Sequence, residues 1–303
     1  MTKNVVVHIE GRELSLSNLD KVLYPEAGFT KAQVIDYYTR IAPVMLPHLR
    51  DHPLTEKRYP DGVNGQFFFE KNGPSFRPEW LQIAPVWSGS NNATVNYCLA
   101  QDLASLVWLA NLAAIELHPN LGTASEIGCP SWLVFDLDPG APAAMTECCK
   151  VGLVLRELFS RLSMQAFAKT SGSKGLQVYV PLNTPVSYDE TKPFARNIAL
   201  ALETRPDLGV VSSMKKSLRP GKVLVDWSQN DEHKTTVCVY SLRAKARPTV
   251  STPIEWAEVE QCLKQRDPKL LSFETAKILE HVRELNDLFA TLLTLKQALP
   301  RLQ

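Results

Sequence analysis

No apolar run in this 303-residue chain approaches the about 20 residues needed to cross a bilayer. The Val5-Val6-Val7 block behind Met1-Thr2-Lys3-Asn4 is too short for the apolar core of a signal peptide. The chain therefore reads as soluble and cytoplasmic, with no membrane partner. Cysteine chemistry is thin. Cys98, Cys129, Cys148, Cys149, Cys238 and Cys262 include no Cys-x-x-Cys pair and no histidine at zinc-finger spacing, which leaves buried, reduced thiols. Excess charge is also missing. A formal net charge of +1 excludes a general polyanion sponge, so any nucleic-acid binding must come from local patches. Repeats and low-complexity segments are absent. With 45% hydrophobic and 21% charged residues, the chain can bury a large core and is not broadly disordered.

What is present alternates between strand and helix patterns. Val5 to Ile9 reads as a strand. Thr30 caps a helix predicted over Lys31 to Ile41, after which Pro43 and Pro47 interrupt the chain. Residues 54–59 and 66–69 read as short strands, 101–114 as a buried helix, and 115–117 as a strand delivering His118. Strands are predicted at 133–135, 166–169, 176–180, 223–227 and 237–240, with helices at 145–162 and 189–204 and a mostly helical tail. Such interleaving predicts a mixed α/β (α+β) sheet with helices against it. The expected organisation is one domain over 1–303. It has a smaller N-terminal lobe to about 120, a core over about 121–253 and a helical segment over about 254–303.

Chemistry concentrates in three places. Asp136-x-Asp138 ends an apolar strand, and residues two apart on a strand share a face. Two carboxylates in one space repel and are costly to desolvate, and a hard divalent cation relieves both problems. Alone, the pair also fits a strand-end turn at Asp-Pro-Gly. Asp226 ends a second apolar strand, Lys222-Val-Leu-Val-Asp226, and would complete a two-metal phosphoryl-transfer set if the strands are neighbours. Ser171-Gly-Ser-Lys174-Gly175 is a small polar turn that lacks Walker spacing and on its own reads as an ordinary hairpin, but beside a metal site it could cradle a triphosphate. Basic clusters occur at Lys57-Arg58, at Lys215, Lys216, Arg219 and Lys222, and at Arg243, Lys245 and Arg247. Arg219 and Arg243 could clamp phosphates. Phe67-Phe68-Phe69 between basic residues fits either core or a stacking platform.

These segments occur in a fixed order: Asp20-Lys-Val-Leu-Tyr-Pro25, Leu133-Val-Phe-Asp-Leu-Asp-Pro-Gly140, Lys169-Thr-Ser-Gly-Ser-Lys-Gly-Leu176, Lys222-Val-Leu-Val-Asp-Trp-Ser-Gln-Asn230 and Tyr240-Ser-Leu-Arg243. Together they resemble the polymerase domain of bacterial ligase D, in the archaeo-eukaryotic primase superfamily, from about residue 15 to 260. The resemblance implies a primase-polymerase core with an RRM-like sheet. It implies Asp136, Asp138 and Asp226 as catalytic ligands of Mn²⁺ or Mg²⁺, and His118, Ser171, Lys174, Arg219 and Arg243 as contacts to an NTP or dNTP. It places Asn18, Lys21 and Lys31 at a 5′-phosphate, and Lys57, Arg58, Phe68 and Phe69 at DNA. Implied partners are gapped or 3′-overhanging DNA ends, ligase and phosphoesterase modules, and Ku. One departure stands out: members of that family usually have histidine where this chain has Gln177.

The implied activity is addition of nucleotides, preferably ribonucleotides, at gaps and overhangs during end joining. De novo priming, which needs neither primer nor 5′-phosphate, is the rival enzyme reading. A non-catalytic DNA-end binder is the rival outside enzymology, and it gives no reason for three carboxylates facing phosphates. A sugar-nucleotide transferase would use Asp-x-Asp but not Asp226 within this basic frame.

Overall fold

The computed structural model describes residues 4–89 and 92–300, and they divide into two compact units. One unit holds the residues up to Ser125 with Thr235–Val250 and Glu274–Asn286. The other holds Glu126–Lys234, Ser251–Phe273 and the chain from Asp287 onward. The unit containing the N-terminus is as large as the other, because the chain returns to it twice. Among the described residues, no helix is long and apolar enough to cross a membrane.

The second unit is built on a six-stranded mixed sheet. Its spatial order is Val210–Val211, Val223–Asp226, Trp132–Pro139, Leu176–Pro181, Phe167–Thr170 and Pro253–Ile254. Only the first pair is parallel. Strand alternation sends Leu133, Phe135, Leu137, Leu176, Val178, Val180, Val223 and Val225 into one core with Val151, Leu155, Phe159, Ile198 and Leu202. Those partners belong to the helices Met145–Arg161 and Tyr188–Glu203. Each such side chain contributes about 1.5–3 kcal/mol on full burial, so the register of the central strands is firmly set. The same alternation turns Asp136 and Asp138 to the opposite face.

In the first unit, Leu54–Arg58 pairs with Phe68–Glu70 and with Ala114–Pro119. The hairpin Ile83–Ser88 with Ala93–Cys98 joins the same sheet, and Val5–Ile9 with Arg12–Leu16 forms a separate one. Neither Arg12–Leu16 nor that hairpin was expected. Pro85 argues against a strand, but it is exposed on the edge strand, where a missing N–H breaks no ladder bond.

Two further expectations are corrected. The helix begins at Lys31 as predicted, with Thr30 Oγ1 accepting from Gln33 N–H and Gln33 Oε1 accepting from Thr30 N–H. It then runs through Pro43 to Met45. Pro43 lies in the final turn, and burial of Ile41, Ala42 and Met45 offsets the lost bond. The predicted strand at Val237–Tyr240 is not a strand. Cys238 N–H reaches the Leu117 carbonyl, but Tyr240 adopts φ 66° and turns the chain away.

Candidate active site

Register assembles the acidic face. Asp136 is the direct cross-strand partner of Asp226 on one side and of Gln177 on the other, and Gln177 pairs with Lys169. One row therefore reads Asp226, Asp136, Gln177, Lys169 across four strands, with Asp138 two residues along on the same face. Asp136 Oδ1 is out of solvent and has no hydrogen-bond partner. Burial, then repulsion from Asp138, push the Asp136 carboxyl up to about 7, and Asp226 adds to the rise against a hydrogen bond from Gln177. Asp226 is held: Ser228 donates from its N–H and Oγ to Oδ1 at 2.9 and 2.6 Å, and Gln229 Nε2 donates to Oδ2 at 3.0 Å. Asn230 fixes the strand spacing, accepting from Val134 N–H at 2.8 Å and donating to Val134 O at 2.7 Å. Among the described residues, no three His, Cys, Asp or Glu side chains already form a metal-holding group. The aspartates share a face and a field rather than a finished cage. The Asp136 oxygen without a donor, beside two further carboxylates whose repulsion a cation would relieve, nonetheless fits a hard cation.

The polar turn lies against this face. A Cβ on Gly175 would stand 2.2 Å from Leu137 O and 3.4 Å from Asp138 Oδ1, so only glycine permits the approach. Ser171 Oγ accepts from the N–H groups of Ser173 and Gly175 at 3.2 and 3.1 Å, which shapes the turn, and Lys174 projects into solvent. Arg219 follows the same logic at Gly140, where a Cβ would meet Arg219 O at 2.1 Å. The Arg219 Nη2 donates to Met214 O at 2.8 Å, while its Nε is buried without a hydrogen-bond partner.

In the other unit, Lys57 pairs across strands with both Phe69 and Glu116, and Thr55 pairs with His118. Lys57, Phe69, Glu116 and His118 thus share a face. Lys57 Nζ lies 4.1 Å from the Phe67 ring centre and 5.5 Å from that of Phe69. Arg58 and Phe68 point to the opposite face, with the guanidinium 5.1 Å from the ring and bonded to Glu70 at 2.6 Å. Glu116 draws together His118 Nε2 at 3.0 Å, Arg243 Nε at 3.3 Å and Lys57 Nζ at 4.0 Å. Elsewhere in this unit Lys31 is buried, with Nζ donating to Ser17 O at 2.6 Å. Burial, then Lys21 and Arg58, lower it to about 8. Lys21 binds Asp61 at 2.8 Å, and Asn18 turns the chain with φ 53°.

The sequence matches the family described as LigD, primase-polymerase domain over residues 30–289. The chain belongs to the LigD primase-polymerase domain family. It is 41% identical over 91% of its length to a multifunctional non-homologous end joining protein LigD of Mycolicibacterium smegmatis. It is 31% identical over 87% of its length to a bifunctional non-homologous end joining protein LigD of Bacillus subtilis. It spans only 36% and 42% of those proteins. Among solved structures, it is similar to the polymerase domain from Mycobacterium tuberculosis ligase D in complex with DNA. That similarity has a TM-score of 0.85 at 39% identity and covers 92% of this chain and 98% of that one.

Within this LigD-type domain, the structure brings Asp136, Asp138 and Asp226 onto one face and sets Gly175, from the Ser171–Lys174 turn, beside Asp138. It clusters His118, Arg243 and Lys57, and separately gathers Lys31, Lys21 and Arg58. It divides both sequence-adjacent pairs, Lys57 from Arg58 and Phe68 from Phe69, between two faces of a sheet. Glu116, Lys169 and Asn230 were not singled out as site residues. Glu116 was legible as a residue two before His118 on a strand. Lys169 is wholly buried, donating to Ser251 Oγ at 2.7 Å, and nothing in its sequence neighbourhood signals that.

Proposed function

We propose that this domain is a template-directed nucleotidyltransferase that adds nucleotides, preferably ribonucleotides, to DNA ends at gaps and 3′ overhangs. The single observation that carries the reading is the shared face of Asp136, Asp138 and Asp226, with an unpartnered oxygen on Asp136. Mn²⁺ or Mg²⁺ held by these three would neutralise phosphate charge and favour ionisation of a primer 3′-hydroxyl. The protein's own groups do the rest. Gly175 lets the turn approach Asp138 closely, so Lys174 can bring a point charge to a triphosphate there. Arg219, with an unused buried Nε–H, supplies a second cationic donor. His118 and Arg243 are further nucleotide contacts. Lys21, Lys31 and Asn18 receive a 5′-phosphate, and Lys31 would have to exchange its bond to Ser17 for that anion. The aromatic rings flanking Lys57 and Arg58 stack on unpaired bases.

We further propose that the reaction serves non-homologous end joining, the process in the names of its relatives, and that ligase and phosphoesterase modules and Ku act with it. The test is extension of a gapped duplex with and without the downstream 5′-phosphate, comparing ribo- and deoxyribonucleotides under Mn²⁺ and Mg²⁺. Extension stimulated by the 5′-phosphate and favouring ribonucleotides supports the reading. Synthesis on unprimed single strands, indifferent to the phosphate, would transfer it to priming.

A further inference from the structure

Glu116 is a carboxylate for which the proposed chemistry has no use, yet two cations and a histidine of the proposed site converge on it. Its side chain is 3% exposed. His118 Nε2, Arg243 Nε and Lys57 Nζ lie 3.0, 3.3 and 4.0 Å from its oxygens, and the Ala244 N–H donates to Oε1 at 3.0 Å. These partners come from two paired strands and a distant return of the chain, so no local turn explains the arrangement. Lys57 and Arg243 would repel each other strongly in so poorly solvated a place without an anion between them. Burial would raise the Glu116 carboxyl, but the hydrogen bond from His118, the charge of Arg243 and the Ala244 N–H hold it well below the usual carboxylate range. It is therefore a fixed negative charge at working pH.

We propose that Glu116 is the positioning residue of the nucleotide contacts: it holds Arg243 and the His118 ring in the orientation in which they meet a triphosphate. The inference rests on the reading that His118 and Arg243 bind nucleotide. Its direction is distinctive. A carboxylate among cations lowers the local positive charge, so simple electrostatics predicts that neutralising it tightens binding of a polyanion. Positioning predicts the reverse. The bond to His118 Nε2 also selects a tautomer, with the proton on the nitrogen facing the carboxylate.

The test is titration of ATP with Mn²⁺ into the full chain carrying Glu116→Gln, Glu116→Asp, His118→Ala or Arg243→Ala, with melting temperatures and ¹⁵N NMR of His118. The expected result is at least tenfold weaker ATP binding for Glu116→Gln, partial recovery for Glu116→Asp, which keeps the charge, and loss of the Nε2–H tautomer in the Gln variant. Equal or tighter binding by Glu116→Gln, with His118→Ala and Arg243→Ala both weakened, overturns the inference and leaves the nucleotide contacts standing. Unchanged binding in His118→Ala and Arg243→Ala overturns that contact assignment and the inference with it. Should Glu116→Gln unfold, the Asp variant decides. Binding loss in proportion to its fall in melting temperature marks a merely structural residue and overturns the proposal.

Discussion

Asp136 and Asp226 stand directly opposite each other across an antiparallel pair of strands, with no basic residue next to either in the sequence. Like charges so placed disfavour the pairing that brings them together. The sheet tolerates them because the reverse faces of both strands are apolar and buried, and because Asn230 ties the turn after Asp226 to Val134.

Asn230→Ala should therefore act at a distance. It leaves a buried N–H and carbonyl of Val134 unsatisfied, at about 1–3 kcal/mol for each group. Denaturant unfolding should show a loss of that order, with Mn²⁺ affinity falling as well. Wild-type stability in this variant would refute the clamp.

Gly175→Ala tests the close approach of the polar turn to Asp138. The added Cβ would meet the Leu137 carbonyl at 2.2 Å, and backbone cannot yield cheaply. The expected cost is about 1–3 kcal/mol or more, read from urea unfolding, together with weaker triphosphate binding. An unperturbed midpoint would mean that the turn sits farther from the strand.

The sequence reveals this much because alternation is a two-residue code. Leu133, Phe135 and Leu137 could only be a buried face, which assigned Asp136 and Asp138 to the other. Asp226 was recognisable as a strand end, but its register against Asp136 depends on pairing between residues 90 apart, which no local pattern specifies. Pro43 misled because its cost is met by tertiary burial of Ile41, Ala42 and Met45. Val237–Tyr240 misled because a β-branched run can be buried without forming a ladder. Adjacent residues such as Phe68 and Phe69 invited treatment as a unit, whereas a strand necessarily separates them.

Glu56 sets a pH dependence apart from the acidic face. Burial, then Glu70, push its carboxyl up to about 8, and its Oε1 lacks a hydrogen-bond partner. An unfolded glutamate ionises near pH 4.3. Between these values the unfolded chain releases a proton that the folded chain keeps, so Glu56 makes the protein less stable as pH rises through that window. Glu56→Gln should match wild type near pH 4 and exceed it increasingly up to about pH 8, then by a constant margin. Thermal melts across that range check the shape; a constant difference at every pH would contradict it.

Lys174→Ala removes an exposed cation with little packing of its own, so the melting temperature should hold. Loss of one charge-assisted contact of about 1.5–3 kcal/mol corresponds to a fall of roughly 10–150-fold in kcat/KM for the triphosphate. Steady-state extension kinetics measure it, and an unchanged kcat/KM would remove Lys174 from the nucleotide site.

The most direct measurement is incorporation of one labelled ribonucleotide into a primed, gapped duplex with Mn²⁺, comparing wild type with Asp138→Ala and Asp226→Ala. Circular dichroism and DNA-binding controls accompany it. The acidic-face account predicts incorporation by wild type and none above background in either variant, with folding and DNA affinity retained. Incorporation by a correctly folded Asp138→Ala or Asp226→Ala protein at near wild-type rate would contradict it.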